Sequence, residues 1–264
     1  MTSRTIAILQ ARVGSSRLPG KVLKPICGRP MLALQLERCL RAETFDELVV
    51  ATSTEDADTS IEELCKAEGV ACFRGALDDV LDRYYQCAKQ HGAQHVVRLT
   101  GDCPLMDPAV IDRVAGFYFE GGYDYASNGL RSTWPDGLDL EIISFDALET
   151  AWREAELPSE REHVSPFIIS HPERFRLGSA ENETDYGRLR WTVDEPEDLA
   201  FVSAVFEALY PATPAFTMQD VLNLLSRQPS LGDLNVHIGR NEGYEASLAA
   251  DAEYVVRKQS RENS

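Results

Sequence analysis

The sequence lacks long hydrophobic runs and an excess of positive charge. No stretch approaches the 18 or so consecutive apolar residues that indicate a membrane-spanning helix. The apolar run from Ile6 to Leu9 is followed by Arg12, and it is too short for the core of a secretion signal. We therefore expect a cytoplasmic protein that does not insert into membranes.

Paired cysteines are also missing. The six cysteines are scattered and none forms a CxxC pair, so a structural zinc site or a redox pair is not indicated. In a chain without a secretion signal, scattered cysteines are typical of free and mostly buried thiols.

Basic residues are outnumbered by acidic ones, 26 against 43, which gives a net charge of −17. A surface this acidic argues against binding to nucleic acids or to anionic membranes, where basic patches supply the affinity. It leaves room for a small anionic ligand that is held by a local cluster of basic residues. The 264 residues, 44% of them hydrophobic, suffice for one large domain with an insertion.

Short apolar strands alternate with helical patterns over the first 120 residues, which predicts an α/β fold with a doubly wound, mainly parallel sheet. Ligands of such sheets bind beyond the carboxyl ends of the strands, so the loops after Leu9, Thr52 and Leu99 matter most. The predicted strands are Thr5 to Leu9, Leu48 to Thr52, Val70 to Phe73 and Val96 to Leu99, and the predicted helices are Met31 to Leu40, Thr59 to Glu68, Asp78 to His91 and Ile111 to Tyr118.

The alternation stops at about residue 123. Residues 123–190 are predicted to form an inserted, β-rich lobe over the site, for acceptor binding or dimerisation. A further strand is predicted from Arg190 to Val193, and the chain from about residue 231 to 264 is expected to be peripheral.

The first loop, QARVGSSRLPGK, combines glycine, serine and basic residues directly after the first predicted strand. Glycine allows a phosphate to approach the backbone, and arginine and lysine supply positive charge. This position favours phosphate binding, with a plain basic surface loop as the alternative. The residues concerned are Ala11, Arg12, Gly14, Ser15, Arg17 and Lys21.

Two aspartates each follow a short apolar stretch. Asp102 comes just after the strand that ends at Leu99, and Asp194 follows WTV. Carboxylates at neighbouring strand ends can share a magnesium ion with triphosphate oxygens. The alternative is that each aspartate only caps a turn or a helix.

Five segments of the chain, in order, resemble the cytidylyltransferases that activate acidic sugars. They are AILQARVGSSRLPGK, RLTGDCPLMDP, DGLDLEIIS, EREHVSPF and WTVDEPEDL, and together they span about residues 5 to 200. The group includes the acylneuraminate and Kdo (3-deoxy-manno-octulosonate) enzymes, and the closer resemblance is to the spore-coat polysaccharide branch. Gln10 stands where the sialic acid enzymes usually have proline.

The resemblance implies a nucleotide-diphospho-sugar transferase fold, CTP as donor, Mg²⁺ as cofactor and pyrophosphate as product. It implies that the first loop and Thr100 bind the nucleotide, with Arg17, Lys21 and Asp102 as catalytic residues. Asp102 and Asp194 would bind the metal. The partners implied are CTP and a small acidic sugar or related acid, and related enzymes are often homodimers.

Three further segments contain candidate binding residues, the first of them by its place in related folds. Arg74 and Gly75 could line the nucleoside, or belong to the core. Asp139 and Glu141 lie on one face of a strand and could read acceptor hydroxyls, or simply face solvent. Arg161 or His163 could meet an acceptor carboxylate.

Two other functions remain open on the sequence. A glycosyltransferase of the same fold usually carries Asp-x-Asp at the end of a central strand, but here Cys103 follows Asp102. A non-catalytic nucleotide-binding partner would not need Arg17, Lys21, Asp102 and Asp194 together.

Overall fold

A computed structural model describes residues 3–240 and 242–262. Its centre is a seven-stranded sheet, and a two-stranded hairpin precedes the first helix. The strands are β1 (Thr5–Gln10), β2 (Pro25–Ile26), β3 (Arg29–Pro30), β4 (Glu47–Ser53), β5 (Ala71–Gly75), β6 (His95–Thr100), β7 (Tyr125–Ser127), β8 (Glu141–Ser144) and β9 (Leu177–Ser179).

The strand order in the large sheet is β5-β4-β1-β6-β8-β7-β9. Only β8 runs against the others, since it pairs antiparallel with both β6 and β7. The predicted mainly parallel, doubly wound α/β sheet is thus confirmed. The carboxyl ends of β1 and β6 are adjacent, because Gln10 pairs with Thr100.

Helices cover both faces of the sheet. They are α1 (Met31–Cys39), α2 (Thr59–Glu68), α3 (Val80–Gln90), α4 (Pro108–Gly121), α5 (Phe145–Glu154), α6 (Pro158–His163), α7 (Pro166–Ser170), α8 (Pro196–Leu209), α9 (Met218–Arg227) and α10 (Glu242–Glu262), with short 3-10 helices at Lys21–Leu23, Asp56–Asp58 and Pro229–Leu234.

The central strand β1 shows why the sheet needs two helical layers. Ala7 and Leu9 point into the core that α1, α4 and α8 cover, whereas Ile6 and Ile8 point into the core under α3 and α5. A parallel strand buried on both faces is a continuous apolar run rather than an alternating one, and that run made β1 recognisable. None of the described helices is both long and apolar enough to cross a membrane.

The first 120 residues follow the prediction closely. The helix predicted from Thr59 to Glu68 is α2, and each strand predicted in this part of the chain is present with its ends shifted by at most two residues. Asp79 and Asp107 cap α3 and α4 through bonds from the backbone N–H groups of Asp82 and Ala109.

The segment 123–190 does not form a separate β-rich layer. Its three strands, β7 to β9, extend the central sheet because β8 pairs with β6, and its remaining elements are α5, α6 and α7. Whether this segment serves acceptor binding or dimerisation stays a prediction.

The strand predicted from Arg190 to Val193 is wrong. Arg190 makes one isolated bridge with Asp136. The next residues bond to loops rather than to a strand, since Trp191 N–H donates to Asp136 O and Val193 N–H donates to Asp102 O. The extended apolar stretch therefore links two loops of the site.

The part of the chain after residue 231 is not confined to the periphery. Asn235 is buried, and its Nδ2 donates to Arg190 O and to Asp198 Oδ1. Further on, α10 packs against α6, and Ser247 bonds to His163 and Glu162. The polar composition of this segment led to the expectation that it is peripheral, and it did not reveal these contacts.

Candidate active site

A cavity of about 230 Å³ opens at the carboxyl ends of β1 and β6, and we call it the first cavity. It brings together most of the residues predicted to bind the nucleotide or the metal. Predicted residues that line it are Ala11, Arg12, Gly14, Ser15, Arg17, Lys21, Thr100, Asp102, His163 and Asp194.

The first loop is held in place by groups from other elements. Asp58, which is buried, accepts a 2.7 Å bond from Val13 N–H. Gly20 has a φ of 68°, a left-handed conformation that favours glycine, and this turn starts the short helix at Lys21. The loop therefore presents its basic side chains to the cavity, and Asp58 is an anchor that the sequence analysis missed.

Two glycines of the cavity differ in what surrounds them. A Cβ added at Gly101 would lie 3.0 Å from both Ala11 Cβ and Gln10 O, so close packing of β1 and β6 requires glycine there. At Gly14 an added Cβ would meet no described atom within 4 Å, and the residue is exposed. Protein packing does not require this glycine, so the open space beside its backbone is available to a ligand.

The ammonium of Lys21 lies between the two predicted metal ligands. Its Nζ is 2.9 Å from Asp194 Oδ1 and 3.4 Å from Asp102 Oδ2, and it also donates to Val193 O at 2.8 Å. The two aspartates thus converge, as the sequence predicted. Neither is a helix cap: Asp107 caps α4, and Asp198 accepts the N–H bonds at the start of α8.

These contacts shift the pKa values of the cluster. Burial works against the charge of Lys21, but the two carboxylates outweigh it and raise its pKa. Burial likewise disfavours the Asp102 carboxylate, yet Lys21 and the hydrogen bonds that Asp102 accepts lower its pKa. Both groups are therefore charged at neutral pH.

Arg190, which the sequence analysis did not single out, fixes Asp194 from the other side. Its Nη2 is 3.2 Å from Asp194 Oδ2, and its Nε and Nη2 each bond to the buried Asp198 at 2.9 Å. Arg17 adds a third cation, with Nη2 at 3.0 Å from Asp194 Oδ1. An arginine close in sequence to an acidic run could have suggested this cluster.

The cavity also contains residues that were not predicted to bind. Arg83 is buried, and its Nη1 donates to Ala76 O at 2.8 Å. Glu162 lies beside His163, and both bond to Ser247. The other unpredicted lining residues are Gln10, Ser16, Val22, Val80 and Gly101.

Arg74 and Gly75 do not line the first cavity. The guanidinium of Arg74 donates to Ser53 O and Glu55 O and pairs with Glu62, so it braces the loop after β4. A Cβ at Gly75 would lie 2.9 Å from Phe73 and 3.1 Å from Arg83. These contacts favour the core alternative for both residues.

Arg161 is also placed away from the cavity lining. Its Nε is 3.0 Å from Asp79 Oδ2, and its Nη1 donates to Trp152 O at 2.7 Å. The side chain thus ties α6 to the N-terminus of α3. His163, its neighbour on α6, does reach the cavity, and burial lowers the pKa of its ring.

A second cavity of about 230 Å³ holds Asp139 and Glu141. It adjoins the first one through Thr100, which lines both. Glu141 accepts bonds from Arg98, Tyr125 and Ser165. Asp139 pairs with Arg240 at 2.6 Å. These two predicted acceptor residues are therefore close to the nucleotide cavity, and both already have partners.

A metal site must be judged by its donors. Within residues 3–240 and 242–262, no group of three or more His, Cys, Asp or Glu side chains could hold an ion. Asp102 and Asp194 offer two carboxylates, and both already contact the ammonium of Lys21. Magnesium commonly takes one or two carboxylates together with phosphates and waters, so this pair fits it when a triphosphate is present.

Comparison with known proteins gives consistent results. The family model described as cytidylyltransferase matches residues 6–204. The chain is 31% identical to the spore coat polysaccharide biosynthesis protein SpsF of Bacillus subtilis, over 84% of this chain and 94% of that protein. It is 41% identical to a 3-deoxy-manno-octulosonate cytidylyltransferase of Pseudomonas syringae pv. tomato, but over only 44% and 45% of the two chains.

Among solved structures, a cytidylyltransferase from Leptospira borgpetersenii superposes with a TM-score of 0.82 at 32% identity. The match covers 87% of this chain and 96% of that one. The fold is therefore shared with a cytidylyltransferase that is similar over nearly its whole length.

Proposed function

Because the chain belongs to the cytidylyltransferase family, we propose that it transfers CMP from CTP to an acidic sugar or similar acid and releases pyrophosphate. It is a CTP-dependent nucleotidyltransferase, and the acceptor is the part that we propose. The observation that carries the proposal is that Asp102 and Asp194 both contact Lys21 of the first loop.

The first loop is suited to a triphosphate. Open space beside the Gly14 backbone admits phosphate oxygens, and Arg12, Arg17 and Lys21 bring positive charge to the same cavity. Arginine can donate two parallel bonds to a phosphate, whereas lysine acts as a compact charge. Thr100 lines both cavities, so an α-phosphate beside Thr100 would face an acceptor in the second cavity.

The reaction is an in-line displacement. An acceptor oxygen attacks the α-phosphorus, the bond to the β-phosphate oxygen breaks, and pyrophosphate leaves. Such transfers depend on positioning and on charge neutralisation. Arg17 and Lys21 are placed to stabilise the charge that builds on the leaving group.

Asp102 and Asp194 are the residues that would hold Mg²⁺. Bound there, the ion would offset phosphate charge and orient the triphosphate. Lys21 lines the cavity and is near enough to donate to a phosphate oxygen instead of a carboxylate. Arg190 keeps Asp194 in place during that exchange.

The acceptor is inferred from the relatives and from the second cavity. One relative is named for 3-deoxy-manno-octulosonate and another for a spore coat polysaccharide, which supports a role in surface polysaccharide or glycoconjugate synthesis. All six cysteines are free, which fits the reducing cytoplasm. The homodimer stays a prediction.

Pyrophosphate release is the direct test. Each of the four nucleoside triphosphates is incubated with magnesium and a panel of sugar acids, and release is measured for the wild type, Lys21→Met and the exposed control Lys66→Met. We expect the wild type to release pyrophosphate from CTP with at least one acid. Lys21→Met should release it much more slowly, and Lys66→Met should release it at the wild-type rate. No release from CTP with any acid would overturn the proposal.

A further inference from the structure

The second cavity is completed by Arg240, a residue that lies outside the part of the chain matched by the family model. The family model ends at residue 204, whereas Arg240 lies on the segment that joins the last 3-10 helix to α10. Arg240 lines the cavity together with Arg98 and Thr100 of β6, and its guanidinium contacts Asp139.

Arg190 and Asp198, which lie beside the predicted metal ligand Asp194, hold the segment that precedes Arg240. Arg190 Nη1 donates to Gly239 O at 3.0 Å, and Asn235 is held by Arg190 O and Asp198. Arg190 in turn contacts Asp194. The position of Arg240 is therefore fixed by contacts that lead through Arg190 to Asp194 of the first cavity.

The charges of this cavity are balanced, but its donors are not used up. Glu141 is paired with Arg98, and Asp139 with Arg240. Two buried nitrogens, Nη1 of Arg240 and Nε of Arg98, have no hydrogen-bond partner in the part of the chain that the structure describes. A buried N–H group without a partner is costly, so a ligand oxygen that displaced Asp139 and reached Nη1 of Arg240 would offset that cost.

We infer that the second cavity binds the acceptor and that Arg240 receives its carboxylate, which makes the C-terminal segment the determinant of acceptor specificity. This inference rests on the proposed function. A planar guanidinium matches a carboxylate better than it matches a hydroxyl. Asp139 and Glu141 accept bonds from the hydroxyls of the same ligand, in the role that the sequence predicted for them.

The Asp139–Arg240 pair is well suited to be exchanged for a ligand. Burial, followed by the charge of Asp136, raises the pKa of Asp139 to about 7 against the opposing effect of Arg240. The carboxylate of Asp139 is therefore a weak counterion near neutral pH. A ligand carboxylate can therefore compete with Asp139 for the guanidinium of Arg240.

Calorimetry on the full chain tests the inference directly. The probes are 3-deoxy-manno-octulosonate, N-acetylneuraminate and glucuronate, each beside its methyl ester, with CMP and magnesium present. The proteins are the wild type, Arg240→Gln, Arg240→Lys and Arg257→Gln, the last removing an exposed arginine of α10. Melting temperatures and the KM for CTP check that each variant is folded.

We expect at least one acid to bind the wild type and its methyl ester to bind at least about tenfold more weakly, the size of a lost charge-assisted hydrogen bond. Arg240→Gln should weaken binding of the acid by a similar factor, Arg240→Lys by less, and Arg257→Gln should not change it. The KM for CTP should stay within about twofold of the wild type. Failure of every acid to bind, or equal binding by Arg240→Gln, would overturn the inference.

The outcomes separate this inference from the proposed function. If pyrophosphate is released and the KM for the acceptor is the same in Arg240→Gln as in the wild type, the role of Arg240 is refuted and the proposed function stands. Binding of an acid that depends on Arg240, without pyrophosphate release from CTP, supports the acceptor cavity and refutes the proposed reaction.

Discussion

Lys21 and Asp194 are 173 positions apart, and their side chains are joined by a hydrogen bond of 2.9 Å. Since Lys21 also contacts Asp102, a single ammonium lies between the two carboxylates. From the sequence alone, those carboxylates would be expected to repel each other in the absence of a metal. The structure replaces that expectation, because Lys21, Arg17 and Arg190 already neutralise the pair.

Asp102→Asn and Asp194→Asn should each reduce turnover strongly without raising the stability of the protein. Each substitution removes one partner of Lys21, so no repulsion is relieved. Since both carboxylates would serve one ion, the double variant should be little slower than either single variant. The measurement is pyrophosphate release together with melting temperatures.

Fully additive losses in that cycle would show that the two aspartates act separately. A clear rise in melting temperature for either single variant would show that repulsion persists despite Lys21.

Lys21→Met should weaken CTP binding by about 1.5–3 kcal/mol, the range for hydrogen bonds to charged groups. It should also lower the melting temperature, because Asp102 and Asp194 then face each other without the ammonium. Added Mg²⁺ should raise the melting temperature of this variant more than that of the wild type. Calorimetry with CTP and thermal melts with and without Mg²⁺ check this, and Lys66→Met should behave as the wild type.

Arg190→Met should destabilise the fold by about 3–5 kcal/mol, since it leaves the buried carboxylate of Asp198 without its counterion. Asn235→Ala should cost less, about 1–3 kcal/mol, because only hydrogen bonds to Arg190 and Asp198 are lost. Urea unfolding of the two variants gives the comparison. Equal losses, or a small loss for Arg190→Met, would contradict the central place of this arginine.

Acidification should destabilise the protein partly through His95 and His163. Burial lowers the pKa of both rings below the ordinary value of 6.5. Below that pH the unfolded chain takes up protons that the folded chain does not, so the free energy of unfolding falls as the pH drops. In His95→Gln, which can still bond to the Tyr118 hydroxyl, the fall between about pH 6.5 and 5 should be smaller than in the wild type.

His163→Gln provides the second comparison, at the cavity rather than at the far end of β6. Melting temperatures of the three proteins across this pH range decide the matter. Differences from the wild type isolate each histidine from the carboxyl groups that titrate in the same range, and identical acid slopes would contradict the expectation.

Cys103→Ser should retain activity within about tenfold, since Mg²⁺ prefers oxygen ligands to sulfur. In the structure the Cys103 thiol donates to Asp102 Oδ1 at 3.4 Å, and a serine hydroxyl keeps a donor there. Cys103→Val, which removes the donor at similar size, should impair turnover more. A large loss in Cys103→Ser with an intact fold would give the thiol a direct part in the reaction.

The sequence by itself determined the strands of the parallel sheet, the helices between them and the edge of the sheet at which the first cavity lies. Apolar runs such as Ile6 to Leu9 are local, and burial on both faces leaves a direct record in residue order. Because every parallel strand ends at the same edge, the first loop and Asp102 could be assigned to one site. Asp194 was assigned to that site through a strand that the structure does not contain, and a loop segment brings it there instead.

Tertiary structure alone decided which charged side chains meet. Arg74 and Arg161 were candidates for ligand binding, yet they brace loops and helices. Arg190, which had only a nearby acidic run as a local signal, contacts Asp194 of the first cavity, and Arg240, which had none, lines the second. An arginine carries its charge at the end of a long side chain, and its effect depends on which carboxylates the folded chain brings within about 4 Å. Residue order does not contain that information until the sheet has brought distant loops together.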